Sequence, residues 1–146
     1  MADSIPYQRA RFAVSLPVAR RYHPAHFWLE EEETPGFWRV GLTKFATRMI
    51  GEIVDYRMDL EPGSRMEPDQ AVGWVEGFKA LTEIHSVVRG VFLEANPQLA
   101  EDPLILFQKP MQTWIYRASG EPDGQQMDVH AYAALLDETI DRMQSA

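Results

Sequence analysis

Turn chemistry recurs at short intervals through the middle of this chain, and it constrains the fold more than any other feature. Pro35-Gly36, Pro62-Gly63, Glu67-Pro68-Asp69, Gly90 and Asn96-Pro97 each interrupt the apolar pattern, because glycine and proline punctuate regular structure. Between them lie short β-branched, aromatic or alternating segments at 26–30, 37–42, 53–59, 71–75, 85–89, 91–94 and 113–117, which read as strands. Long helices do not fit between stops so closely spaced. The expected class is mainly β, two antiparallel sheets forming a sandwich or flattened barrel. One short helix is expected after the second strand: Thr43 as its N-cap, Phe45, Met49 and Ile50 as its apolar face, Gly51 as its end. A further helical turn fits 97–102. If Gly90 adopts a positive φ, a β-branched residue in its place would be strained and should harm folding.

The flanks differ from this body, 21–118. Residues 1–20 mix basic and apolar character, with Arg9, Arg11, Pro17 and Arg20. They read as an N-terminal arm, either loosely ordered or used in binding. Residues 119–126, SGEPDGQQ, have linker composition. Asp128 then caps a helix to about Met143, on which Val129, Tyr132, Ala133, Leu136, Ile140 and Met143 form one stripe. A helix this short is marginal alone, so the stripe packs back on the body or enters a partner's groove. The division is therefore 1–20, 21–118 and 119–146, a length of 146 residues suiting one main core.

Lys plus Arg is 14 against 22 Asp plus Glu, a net charge of −8. Such a chain is repelled by nucleic acid and by anionic membrane surfaces, so neither is an expected partner. No apolar run approaches a membrane span, and the N-terminus lacks the pattern of a secretory signal. There is no cysteine, which removes disulfides, thiolate nucleophiles and Cys-type metal sites. A cytoplasmic monomer is the default expectation.

The chain is poor in recognisable catalytic chemistry. His23, His26, His85 and His130 show no metal-binding spacing. Neither a nucleophile elbow nor a phosphate-binding glycine loop occurs. The run Glu30–Glu33 reads as a solvated hairpin tip, and no carboxylate pair stands out as an acid–base couple. No catalytic and no metal-ligating residue is expected. One segment is unusual: in Trp74-Val75-Glu76-Gly77-Phe78-Lys79-Ala80-Leu81-Thr82-Glu83, strand-like runs enter and leave Gly77–Ala80. Lys79 then projects from a hairpin tip between two acids, Glu76 and Glu83. Lysine is commonly exposed, so the surrounding pattern decides whether this one has a task.

That pattern resembles the H protein of the glycine cleavage system and its relatives, over about residues 22–117. Tyr22, His26 and Trp28 match Y-x-x-x-H-x-W. Val40-Gly41-Leu42-Thr43 with Phe45-Ala46 is similar to V-G-I-T-x-Y/F-A, and Gly51-Glu52-Ile53-Val54 to G-D-I-V. Val75-Glu76-Gly77-Phe78-Lys79-Ala80 resembles V-E-S-V-K-A, in which the lysine carries lipoate. Glu83, Gly90, Glu94, Asn96, Leu99, Pro103, Pro110 and Trp114 continue the match. The resemblance implies a barrel-sandwich hybrid with short helices and a C-terminal helix, and lipoate in amide linkage to Lys79. It implies a carrier rather than an enzyme, modified by a lipoate ligase or lipoyltransferase. Glu76 and Glu83 are candidate recognition acids for that enzyme, or simply solubilising charges. Gly77 would allow a tight turn, and a chain without thiols cannot exchange with the dithiolane of the arm.

Departures bear on what the arm carries. An aminomethyl load is cationic, and the family protects it in a polar pocket; at two of the corresponding positions this chain has Phe27 and Met49. Burying an unpaired cation is costly, whereas a soft, polarizable sulfur load tolerates such neighbours. Gly77-Phe78 replaces S-V, Val87 stands where proline is usual, and no glycine precedes Trp114. The N-terminal arm and the tail beyond Arg117 are expected to extend past the family's usual length. In these respects the chain is similar to the H-like lipoate-binding proteins that work with a heterodisulfide-reductase-like complex in cytoplasmic sulfur oxidation. The expectation is a carrier of sulfur intermediates. The alternatives are an aminomethyl carrier serving the glycine cleavage P, T and L proteins, and an unlipoylated interaction domain.

Overall fold

In β4 (Phe27–Glu31) three successive residues, Phe27, Trp28 and Leu29, are all buried. Side chains alternate across a strand, so this sheet must be covered on both faces. The computed structural model, which describes residues 3–145, shows what covers each. In chain order the elements are β1 (Ser4–Arg9), β2 (Phe12–Pro17), β3 (Arg21–His23), β4, β5 (Phe37–Leu42), α1 (Lys44–Ile50), β6 (Ile53–Met58), β7 (Arg65–Met66), β8 (Ala71–Gly77), β9 (Leu81–His85), β10 (Val88–Ala95), α2 (Pro97–Glu101), α3 (Ile105–Gln108), β11 (Tyr116–Pro122) and α4 (Val129–Ser145). A six-stranded antiparallel sheet runs β3-β4-β5-β11-β10-β7, and a three-stranded one runs β6-β8-β9.

One face of the larger sheet packs on the smaller. Leu29, Val40, Leu42, Phe92, Tyr116 and Ala118 from the first share a core with Ile53, Val72, Val75 and Ile84 from the second. The opposite face, at the β3–β4 end, carries Tyr22 and Trp28 into a second core with Tyr7, Phe12, Leu16, Phe45, Val129, Tyr132, Leu136 and Ile140. The Trp28 indole lies over Gly41, its register partner in β5, where a Cβ would come within 2.3 Å of the ring. Its Nε1–H donates to the Pro110 carbonyl at 3.0 Å.

Several expectations need correction here. Residues 4–17, read as part of an arm, form the antiparallel β1–β2 hairpin, whose Tyr7, Phe12 and Leu16 roof the second core. Residues 119–122, read as linker, are the end of β11 and pair with β10. Val88–Ala95 is one strand and not two, with Gly90 inside it. Gly90 does not have a positive φ. It faces Gly120 in the β10–β11 register, and a Cβ there would fall 1.8 Å from the Ser119 carbonyl oxygen. Met49 is about half exposed and not on the inner face of α1, which buries Phe45, Ala46, Thr47 and Ile50. The expected Thr43 N-cap and Gly51 end of that helix are both present. The C-terminal stripe packs on the body through Val129, Tyr132, Leu136 and Ile140, while Met143 is exposed. Residues 1, 2 and 146 of the flanking segments lie outside the described residues.

The acidic run is also more than a solvated tip. Glu32 accepts two hydrogen bonds from Arg117, at 2.6 and 2.8 Å, while Arg117 also reaches Glu94 at 3.0 Å. That bidentate partner lowers the Glu32 pKa. Glu31 accepts from the Gly36 backbone N–H at 3.0 Å. Among the described residues no helix is long and apolar enough to cross a membrane.

Candidate functional site

The β8–β9 hairpin presents Lys79 on a turn braced by the end of α1. The Gly77 N–H donates to the Ala80 carbonyl at 2.9 Å and closes the turn. The Phe78 N–H donates to the Glu52 carbonyl at 3.1 Å, and the Lys79 N–H to the Ile50 carbonyl at 2.9 Å. Two glycines make this contact possible. A Cβ on Gly77 would lie 2.4 Å from the Ile50 carbonyl oxygen. Gly51 ends α1 at φ +82, and a Cβ there would meet the Lys79 stem at 3.0 Å. The tip is thus held by backbone on backbone, while the Lys79 side chain is exposed. Its Nζ lies 3.4 Å from the Arg48 carbonyl, at the helix end where unpaired carbonyls favour a cation.

Phe78 and Leu81 flank the lysine and are 76% and 68% exposed, unusual values for large apolar side chains. Trp74 pairs with Glu83 across the ladder, and Glu76 with Leu81. The structure brings Glu76 and Glu83 together in one open groove of about 360 Å³, with Trp74 as its aromatic wall. Apolar contact area ringed by carboxylates suits a partner with an apolar surface and a basic rim.

A second cavity, about 290 Å³, shares Thr82 and Glu83 with that groove and opens beside the end of α1. Ala46, Met49 and Ile50 form one wall and Phe27 and Leu42 contribute apolar surface, with His26, Thr82, Glu83 and His85 as the polar side chains. Met49 and Ile50 belong to the same helix end that braces Lys79, which makes the lysine and the cavity neighbours. Glu83 borders both the groove and the cavity. The His85 Nε2 lies 3.4 Å from the Glu83 carboxylate.

His26 is the polar group that sequence reasoning undervalued. It adopts φ +70 in the turn between β3 and β4, and its Nδ1 lies 2.8 Å from the Tyr132 hydroxyl of α4. Burial, with a smaller contribution from His23, lowers its pKa to about 4, so the ring is neutral at pH 7. Its position in Y-x-x-x-H-x-W was visible; its partner, more than a hundred residues away, was not. Of the other histidines, His85 lines the same cavity, whereas His23 does not. His23 is buried in a 2.9 Å contact between its Nε2 and Asp123, tying β3 to the turn after β11.

A profile of the family described as Glycine cleavage H-protein matches residues 20–139. The match extends over most of α4, so the helix is largely within the family's length and not an addition to it. A glycine cleavage system H protein of Paraburkholderia phymatum is 29% identical over 128 residues, covering 86% of this chain and 100% of the relative. One from Dinoroseobacter shibae is 33% identical over 119 residues, 79% of this chain and 95% of the relative. The crystal structure of a glycine cleavage system H protein from Mycobacterium marinum superposes with a TM-score of 0.74 at 25% identity, covering 82% of this chain and 97% of that one.

Proposed function

The chain belongs to the glycine cleavage H-protein family, and from that premise we propose that Lys79 is the residue on which it carries lipoate. Members of this family bear lipoate covalently on a lysine and act as carriers, not catalysts. The observation that carries the assignment is the exposed Lys79 side chain on a tip anchored by three backbone hydrogen bonds. A modifying enzyme needs an amine it can reach on a backbone it can recognise, and the β8–β9 turn offers both. Glu76, Glu83 and the exposed Phe78 and Leu81 form the face that a lipoate ligase or lipoyltransferase would read. The lipoyl group supplies a dithiolane that interconverts disulfide and dithiol and so carries electrons or a thiol-bound group. The chain's own contribution is positional: Lys79 fixes where the arm starts, and the neighbouring cavity gives its head a partly apolar shelter. No protein thiol competes with the arm, the chain being free of cysteine.

For the load, we infer the role of the named relatives: an aminomethyl carrier shared among the glycine cleavage P, T and L proteins. Glu83 at the cavity mouth supplies a carboxylate for a cationic load. The expected sulfur-oxidation role with a heterodisulfide-reductase-like complex has less support, since the relatives are glycine cleavage system H proteins. It is retained as the second reading on one observation: Phe27 and Met49 line the same cavity. Reconstitution decides. Lipoylated protein added to purified P, T and L proteins should support glycine-dependent carbon dioxide release. Failure of that exchange, with retention of sulfane sulfur on the arm, would replace the first reading by the second.

A further inference from the structure

A short hydrogen-bond chain links the C-terminal helix to the cavity beside Lys79. The Thr43 Oγ1 lies 2.7 Å from the Tyr132 hydroxyl, which lies 2.8 Å from the His26 Nδ1. Thr43 also caps α1, its Oγ1 accepting the Ala46 N–H at 3.5 Å. Thr43 and Tyr132 are buried, at 1% and 0% exposure, so each hydroxyl hydrogen must find its acceptor within this chain.

Only one proton arrangement satisfies every donor; with a proton on Nδ1, Tyr132 could also accept from both His26 and Thr43, but its own hydroxyl hydrogen would then lack an acceptor among the described residues. If His26 carried its proton on Nδ1, it would donate to Tyr132, and Tyr132 would donate to Thr43. The Thr43 hydroxyl hydrogen would then be buried without an acceptor among the described residues, at a cost of about 1–3 kcal/mol. In the reverse arrangement Thr43 donates to Tyr132, Tyr132 donates to Nδ1, and the Thr43 oxygen remains free to accept from Ala46. The imidazole proton must then sit on Nε2. That nitrogen has no hydrogen-bond partner among the described residues and is not among the buried unpartnered atoms, on a residue that lines the cavity.

We propose that Tyr132 is a positioning residue: with Thr43 behind it, it fixes neutral His26 as the Nε2–H tautomer and gives the cavity one directed N–H donor. The low pKa of His26 keeps this donor uncharged at neutral pH. The donor suits a sulfur atom or the lone pair of a neutral amine, and it offers nothing to an ammonium. Its use by the arm rests on the carrier role of Lys79; the proton arrangement does not.

The test is long-range proton–nitrogen NMR on full-length, unlipoylated protein with ¹⁵N-labelled histidine at pH 7. His26 should show a pyridine-like Nδ1 and a protonated, pyrrole-like Nε2. In Tyr132→Phe the two nitrogens should shift toward an averaged tautomer mixture, whereas Thr43→Ser, which keeps the hydroxyl, should retain the wild-type pattern. A protonated Nδ1 or a mixture in the wild-type protein would overturn the proposal, even if Tyr132→Phe failed to fold. So would an unchanged pattern in a folded Tyr132→Phe. Absence of lipoate on Lys79 with the expected tautomer would refute the carrier role and leave the relay standing.

Discussion

Gly77→Ala tests whether the lysine is displayed by a braced tip or by a freely moving loop. The added Cβ would sit 2.4 Å from the Ile50 carbonyl oxygen, 2.7 Å from the Ile50 Cγ2 and 3.0 Å from the Gly51 carbonyl oxygen. Two of those neighbours are backbone atoms at the end of α1, where Ile50 is buried in the main core. They cannot rotate away, so the hairpin must retreat. Retreat stretches the Lys79-to-Ile50 and Phe78-to-Glu52 hydrogen bonds, each worth about 1 kcal/mol, and adds overpacking of about 1–3 kcal/mol. A loss of up to about 3–5 kcal/mol follows, or a fall in melting midpoint of up to roughly 9–15 °C for a domain of this size. The lysine moves with the tip, so lipoylation by a purified ligase should slow on the order of tenfold or more even below the melting transition. Gly124→Ala is the control. A Cβ there meets nothing within 4 Å and the backbone is not left-handed, so its stability should change by less than about 0.5 kcal/mol. A Gly77→Ala protein with wild-type midpoint and wild-type lipoylation rate would refute the bracing argument.

Gly90→Val should destabilise severely by calorimetry, through collision with the Ser119 carbonyl and not through backbone torsion. Leu136→Ala should cost about 2–5 kcal/mol in denaturant unfolding, because Leu136 is buried at 0% exposure in the core shared by α4 and the N-terminal hairpin. A change under about 0.5 kcal/mol would mean the helix leaves the body in solution. Acid titration should expose His26. Its folded pKa of about 4 lies below its ordinary 6.5, so the unfolded chain binds more protons between those values and stability falls as pH drops from 6.5 toward 4. His26→Asn, which tolerates the left-handed turn, should flatten that limb of the stability profile.

What the sequence revealed depended on whether a signal was local. The strands at 37–42 and 53–59, the α1 cap at Thr43 and the tip at Lys79 announce themselves by alternation, capping chemistry and turn residues within a few positions. The β1–β2 hairpin does not. Ile5 and Tyr7, then Phe12, Val14 and Leu16, do alternate, but the connection uses Ala10 at φ +53, where no glycine, asparagine or aspartate advertises a turn. Scattered arginines hid the pattern further, although Arg9 itself is paired with Asp141 of α4 at 2.8 Å. The end of β11 was hidden by Gly120 and Pro122, which ordinarily break strands. Gly120, at φ +132, instead permits close approach of β10. In the site, the lysine and its acids were legible from one segment. The cavity was legible only through the resemblance, which placed Phe27 and Met49 in it; the rest is assembled from the β3–β4 turn, α1 and β9, and its histidine is oriented from α4.

The chain has only three lysines, Lys44, Lys79 and Lys109, so peptide mass mapping of protein co-expressed with a lipoate ligase is the most direct measurement. One lipoyl group on the peptide containing Lys79, and none in a folded Lys79→Arg variant, is the predicted result. A lipoyl group on Lys44 or Lys109, or an unmodified Lys79 beside a ligase proven competent on another carrier, would contradict the account.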